Sequence, residues 1–494
     1  RTMTETAKKK RGMPSSFTIL LALLAIVAVI TVIVSGTSGG AVTAARLSDF
    51  CTAPILGFAD ALPVCLFVMI LGGFLGMMTE TGALDNGIAV LVQKLKGNEI
   101  MLIPVLMLIF SLGGTTYGMC EETVPFYALL AATMMAAGFD PMVGAATVLL
   151  GAGCGCLGST VNPFAVGAAV DALTGVDIAV NQSIIIGLGA VLWIVTTAMS
   201  IVFVMSYAKK VKADKGSTIL SMQELKDAEE AHGKAASEVH KEVKLTGRQK
   251  GVLIAFAFTF VVMIVGFIPL ADLNEGVANF FDAGAVYDAD GNTVVQGWSA
   301  LITGLPIGQW YFDEASTWFF LMAVLIGIIG GLSEKQIVNT FITGAADMMS
   351  VVLVIALARG ISVLMANTGL DVYVLDAAAN ALAGLSGVIF APMSFLVYFG
   401  LSFLIPSTSG MATVSMPIMG PLAVKLGFSP EVMVMIFSAA IGVVNLFTPT
   451  SGAIMGGLAL AKIEWTTWLK FALKLIVALS VVCAVILTIA CVML

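Results

Sequence analysis

Gly113-Gly-Thr-Thr-Tyr-Gly-Met-Cys-Glu-Glu-Thr-Val-Pro-Phe-Tyr127, with Gly158-Ser-Thr-Val-Asn-Pro-Phe164 a little further on, decides how this chain is read. Both stretches are small, polar and rich in glycine, and both interrupt sequence as apolar as a membrane span. In lipid every backbone N–H and C=O must find a partner inside the protein. Such breaks survive only where they are buried in protein or line a cavity. Two of them close together predict a binding site built from discontinuous helices.

The rest of the chain sets the context. Of 494 residues, 59% are hydrophobic and 11% charged, which excludes a soluble core and implies an integral membrane protein. The length allows roughly ten spans of about 20 residues. Seven cysteines include Cys154 and Cys156, whose spacing is not a zinc pair and which are expected only to pack. His232 and His240 fall in a charged loop, where no chemistry is expected of them. No nucleotide loop, catalytic triad or haem motif is legible, so neither an enzyme nor a cofactor is expected, nor a nucleic-acid partner.

Residues 1–16 are basic and precede the first apolar run, Phe17 to Ser35, which places the N-terminus in the cytoplasm. Residues 17–207 read as a first repeat. Within it, 36–61 are expected as a short outer segment with a helix lying on the interface. Residues 101–138 are expected as a re-entrant hairpin of two short legs. Pro141 to Asp171 are expected to cross with a break at 159–163. Residues 208–250 hold ten Lys and Arg and read as a cytoplasmic loop. Residues 251–315 hold a span and then a stretch from 271 with acids and neither Lys nor Arg, which belongs outside. Residues 316–494 read as a second repeat, with a hairpin at 388–426 and a crossing broken at 448–452.

The halves match. Thr81-Gly82 falls on Thr368-Gly369, and Gly73 on Gly360, at one offset. Gly138-Phe-Asp-Pro141 falls on Gly427-Phe-Ser-Pro430 at an offset only two residues different. That register lays tip on tip and break on break. An odd number of crossings separates the copies, so the repeats are inverted, with a substrate site near the midplane. The fold class expected is an all-α membrane protein: an inverted-repeat transporter with two re-entrant hairpins and two broken helices, divided into scaffold and transport domains.

Hydroxyls, amides and freed carbonyls at the breaks can hold a coupling sodium ion, with Thr115, Ser159, Asn162, Ser409, Thr448 and Thr450 as its candidate ligands. A substrate carboxylate wants N–H donors at half-helix starts. The candidate substrate residues are Thr116, Gly118, Glu121, Glu122, Thr160, Asn162, Ser407, Thr408, Ser409, Thr450 and Ser451. Any one hydroxyl here could instead back-bond to its own helix. Glu121 and Glu122 are ionisable at membrane depth, which is costly and usually functional. One could cap the second leg, bind a substrate ammonium or guanidinium, or serve ion coupling by Na+ or H+. Uncompensated carboxylates repel a dianion, which favours an amino acid over a dicarboxylate. Arg359 is a lone base in an apolar span, expected to pair with Asp347 or Glu80, to snorkel, or to meet substrate.

The run Gly118–Tyr127, the run Gly158–Phe164 and Asn445-Leu-Phe-Thr-Pro-Thr-Ser-Gly452 together resemble the YfcC-like branch of the anaerobic C4-dicarboxylate carrier family. The resemblance implies a bacterial inner-membrane secondary transporter, a homodimer in the bilayer working by an elevator motion. It implies amino acids as cargo, with C4-dicarboxylates as the alternative. It also implies that a Ser-Asn-Thr motif in each repeat touches carboxylate and sodium. Ser159-Thr-Val-Asn162 is the first copy, and Thr448-Pro-Thr-Ser451 is a second copy without the amide.

Overall fold

The computed structural model describes residues 16–94, 98–120, 123–238, 244–268, 270–288, 291, 293–405 and 407–494. The basic run before Ser16, the Glu121–Glu122 pair and His240 lie outside them. Among the described residues, eight helices are long and apolar enough to cross a membrane.

The first half runs through α1 (Ser16–Ser35), α2 (Leu47–Asp60), α3 (Leu62–Glu80), α4 (Ala83–Lys94), α5 (Leu102–Tyr117), α6 (Val124–Ala136), α7 (Pro141–Leu157), α8 (Ala168–Thr174) and α9 (Gln182–Ala213). The link holds α10 (Met222–Glu238), α11 (Gly247–Phe267), α12 (Leu270–Leu273) and α13 (Glu275–Phe281). It also holds a two-stranded antiparallel ribbon, β1 (Val286–Tyr287) with β2 (Thr293–Val295), a small departure from the all-α expectation. The second half is α14 (Phe312–Gly330), α15 (Glu334–Asp347), α16 (Met349–Thr368), α17 (Leu370–Leu382), α18 (Gly387–Leu401), α19 (Thr408–Lys425), α20 (Pro430–Val444), α21 (Gly452–Leu460) and α22 (Trp465–Met493).

α5 with α6 and α18 with α19 are two pairs of consecutive short helices. Lys212 reaches Glu99, just before α5, at 2.7 Å and lies 5.0 Å over the Phe139 ring, just after α6. The open ends of α5 and α6 are therefore side by side. In the other pair Phe390 of α18 stacks on Phe428, just past α19, at 4.7 Å. The Tyr398 hydroxyl donates to Ser415 Oγ across the same pair at 3.0 Å. The first leg is longer than expected, because Gly113 to Tyr117 remain helical; the tip begins at Gly118.

Both second legs end in the same way. Gly138 and Gly427 take left-handed φ of 87° and 81°, which glycine adopts without steric cost. Phe139 N–H then returns to Met134 O, and Phe428 N–H to Ala423 O, both at 2.9 Å. This is the helix-closing turn in which two N–H groups satisfy the last free carbonyls. The next helix starts at once. Asp140 and Ser429 accept from Val143 N and Val432 N, with Pro141 and Pro430 at the first helical position.

Two further helix pairs cross between the repeats. α2 packs on α16, and α15 packs on α3. A side chain at Gly57 would collide with the backbone of Gly360, and one at Gly344 with that of Gly72 and Gly73. The offset that relates Gly73 to Gly360 also relates Gly57 to Gly344, so the two crossings are copies of one contact. Small residues allow this backbone approach between apolar helices. The contact corrects the expectation of an interfacial helix within 36–61: Ala53 and Gly57 bury α2 against the middle of α16. α15 and α17 are helices beyond the expected spans, amphipathic and short enough to escape a search for apolar runs.

Candidate functional site

α7 unwinds after Leu157, and the first tip is sewn into the gap. Thr115 Oγ1 donates to Gly158 O at 2.6 Å, while Thr160 N–H and Oγ1 both reach Thr115 O, at 2.9 and 3.0 Å. Asn162 restarts the helix. Its Oδ1 accepts from Phe164 N at 2.9 Å and Ala165 N at 3.3 Å, and its Nδ2 donates to Ser159 Oγ at 2.9 Å. The restart is one π-helical turn, Pro163–Gly167, a geometry frequent at functional sites. Gly118, at φ 79°, lies flat on that amide: a Cβ there would stand 2.6 Å from Asn162 Oδ1.

α20 ends at Val444, and the break runs from Asn445 to Ser451 before α21. The Thr448 and Thr450 hydroxyls are 2.7 Å apart. Ser407 Oγ caps α19 by accepting from Gly410 N at 3.2 Å. α7 and α20 pack on each other, which brings the breaks together.

The tips and breaks meet at one cavity of about 450 Å³. Gly118, Asn162, Ser407, Thr408, Ser409, Thr450 and Ser451 line it, so seven of the expected substrate residues share a wall. Thr115, Thr116, Ser159, Thr160 and Thr448 stand off that wall. Thr116 back-bonds to Leu112 O at 2.7 Å and Ser159 to Cys156 O at 2.6 Å, as polar side chains in helices often do. Glu121 and Glu122 lie outside the described residues, between Cys120 and Thr123, which are both on the wall. Cys156, expected only to pack, is on the wall as well.

The rest of the lining comes from α2, α3, α14 and α16 and carries two charges, Asp60 and Arg359. Arg359 Nε lies 3.1 Å from Asp60 Oδ2. This replaces the expected pairing with Asp347 or Glu80. Asp347 is the repeat counterpart of Asp60, so the signal was present in the register already found. Asn445 also lines the cavity. The second break thus holds an amide after all, upstream of the position where the motif was sought.

A second, larger cavity of about 710 Å³ opens toward the other end of α3, beside Gly72, Glu80 and Asp347. It has none of the tip or break residues just named. A buried apolar cluster of Val64, Val124, Met348, Val351 and Ile355 lies between the two. The lysine-rich loop reaches this side: His232 of α10 contacts Leu460 O through Nε2 at 3.0 Å, and Glu224 accepts from Glu464 N at 2.9 Å. Burial, with Lys462 adding to it, holds the His232 imidazole below its ordinary range. His232 therefore has a docking role that the sequence did not suggest.

The sequence profile of the C4-dicarboxylate anaerobic carriers (DcuC) matches residues 13–492, nearly the whole chain. The chain belongs to that family. Its members are membrane transporters, not enzymes, and this carrier is a multi-pass membrane protein. An uncharacterized protein of Haemophilus influenzae is 28% identical over 445 residues, 90% of this chain and 78% of the relative. An Escherichia coli protein named "Putative basic amino acid antiporter YfcC" is 27% identical over 440 residues, 87% of this chain and 77% of the relative. Two solved structures align over most of the carrier: the MtrF efflux pump of Neisseria gonorrhoeae, with 17% identity, 98% and 96% coverage and TM-score 0.44, and the YdaH transporter of Alcanivorax borkumensis, with 15%, 96% and 98%, and 0.46. At those scores neither fixes the architecture or the cargo of this carrier.

Proposed function

We propose that this carrier is a secondary active, elevator-type transporter of small carboxylate-bearing solutes, with basic amino acids such as arginine or ornithine foremost, moved by exchange or by cation coupling. The observation that carries the reading is the convergence of both tips and both breaks on one cavity that α2, α3, α14 and α16 also line. The start of α21, which has no side-chain cap, offers N–H groups and a positive dipole end to the cavity. The hairpins are re-entrant, each opening to its own side. They move with the broken helices as a transport domain against a scaffold that includes α2, α3 and α14–α16. The buried apolar cluster between the cavities is the barrier crossed on each stroke.

The cargo reading rests on the adjacent carboxylates Glu121 and Glu122 in the sequence and on the name of the E. coli relative. The family description favours C4-dicarboxylates as the second reading. A coupling Na+ or H+ belongs to the same proposal. Thr448 and Thr450 fit a sodium ion, since a hydroxyl that donates once keeps lone pairs for a cation. Ser159, Ser409, Asn162 and Thr115 are the further candidates. The carrier sits as a homodimer in the bacterial inner membrane, with the N-terminus and the lysine-rich loop in the cytoplasm. The test is competition by amino acids and dicarboxylates against labelled arginine uptake in proteoliposomes. Competition by lysine or ornithine supports the reading. Competition by succinate and fumarate alone replaces it with the second.

A further inference from the structure

The Arg359–Asp60 pair carries an inference that deepens the carrier reading and rests on it. Arg359 sits in the middle of α16, about 15 Å from either end at ~1.5 Å per residue. An ionisable group at that depth is a functional candidate. Among the described lining residues of the tip cavity, Arg359 and Asp60 are the only charged ones. Asp60 holds the guanidinium through Nε. A guanidinium carries five N–H donors in a planar fork, so this contact leaves its two amino groups for a second anion. The Asp60 side chain is 53% exposed and that of Arg359 only 25%, so water screens the acid more than the base. The pair therefore presents a net positive edge to the cavity.

The repeat argues against a purely structural pair. Its register lays Asp60 on Asp347 and Arg359 on Gly72. Gly72 and Asp347 border the second cavity, and there the equivalent helix crossing forms with glycine in place of arginine. The acid is common to both copies and the crossing needs no arginine. Arginine stands only in the copy where the tips and breaks converge.

We propose that Arg359, positioned by Asp60, anchors the substrate's carboxylate and makes the carrier select carboxylates over their decarboxylated amines. The remainder of the substrate then lies toward the second tip and break, where Ser407, Ser409 and Asn445 stand. A site built to hydrogen-bond one group rejects analogues that lack it.

The experiment measures equilibrium binding of arginine and of agmatine, its decarboxylated amine, to the purified full-length carrier and its variants. In the parent, arginine is preferred by about tenfold or more. Arg359→Gln brings that ratio close to one, with agmatine affinity changed less than about twofold. Asp60→Asn weakens arginine less than Arg359→Gln does and keeps the preference, because the fork is still present. If Arg359→Gln does not fold, Arg359→Lys decides instead, with a reduced ratio and unchanged agmatine affinity. An unchanged ratio in the Arg359 variants, with both ligands weakened together or neither weakened, overturns the anchor. The cargo reading is tested apart from this. If the parent binds succinate and not arginine, that reading fails alone. Arg359→Gln must then lower succinate affinity and spare its diamide, and equal effects on the two again overturn the anchor.

Discussion

Gly118 and Asn162 make the sharpest test of how tip and break are joined. Asn162→Ala removes a helix cap worth about 0.5–2 kcal/mol and the Ser159 bond, about 0.5–1.5 kcal/mol. The expected total is about 2–3 kcal/mol. Gly118→Ala pays first for a left-handed φ, roughly 1–2 kcal/mol. Its Cβ also falls 2.6–2.9 Å from the three atoms of the Asn162 amide, which must then leave its cap. The single glycine substitution therefore costs the backbone strain plus most of the asparagine's loss, about 3–4 kcal/mol. In the Asn162→Ala background the Cβ has room, and only the strain remains. The double variant should thus be more stable than the sum of the singles by about 2 kcal/mol, a coupling typical of residues in contact. Unfolding midpoints of the four proteins in one detergent, read beside arginine binding, give the cycle. Strict additivity would refute the account of the junction, and so would unchanged binding in both singles.

Other outcomes follow from the same geometry. Thr115→Val loses the bond to Gly158 O and should cost about 1–2 kcal/mol, whereas Thr116→Val, whose hydroxyl bonds within its own helix, should stay within about 0.5 kcal/mol, both read as shifts in unfolding midpoint. The folded state favours neutral His232, so α10 docking is fully present above the ordinary histidine pKa of about 6.5 and is lost as pH falls through the depressed value. Hydrogen exchange over 222–238 should therefore accelerate on acidification in the parent, and His232→Ala should be fast at every pH. Cysteine at Lys94 should be labelled from the cytoplasm and at Val294 from the periplasm; labelling of both from one side contradicts the inverted topology.

The parts legible in the sequence were those in which the membrane forbids a pattern. Glycine, hydroxyl and amide clusters inside apolar runs are costly in lipid, so Gly118, Asn162, Ser407 and Ser451 stood out, and the Gly-Phe-x-Pro corners fixed the register. What stayed hidden depends on contacts between repeats. α2 looks interfacial because its apolar and polar residues are mixed, yet Gly57 commits it to Gly360. Arg359 pairs with Asp60, whose repeat counterpart is Asp347, and sequence distance alone favours neither acid. The first leg was read short because Gly113 and Gly114 suggest a turn. They are instead helical, and Gly114 lies against Ala152 and Gly155 of α7, where no larger residue fits. His232 seemed idle because its partner is a backbone carbonyl, which no side-chain pattern reveals.

The central claim is that one cavity, bounded by tips and breaks, carries carboxylate-bearing amino acids across the membrane by alternating access. Counterflow tests it most directly: labelled arginine enters proteoliposomes preloaded with unlabelled ornithine or with succinate, with and without thiol labelling of Ser409→Cys in a cysteine-free parent. The account predicts saturable uptake stimulated by internal ornithine and abolished by the label at Ser409→Cys. Uptake that does not saturate, that responds to succinate alone, or that is indifferent to the label would contradict it.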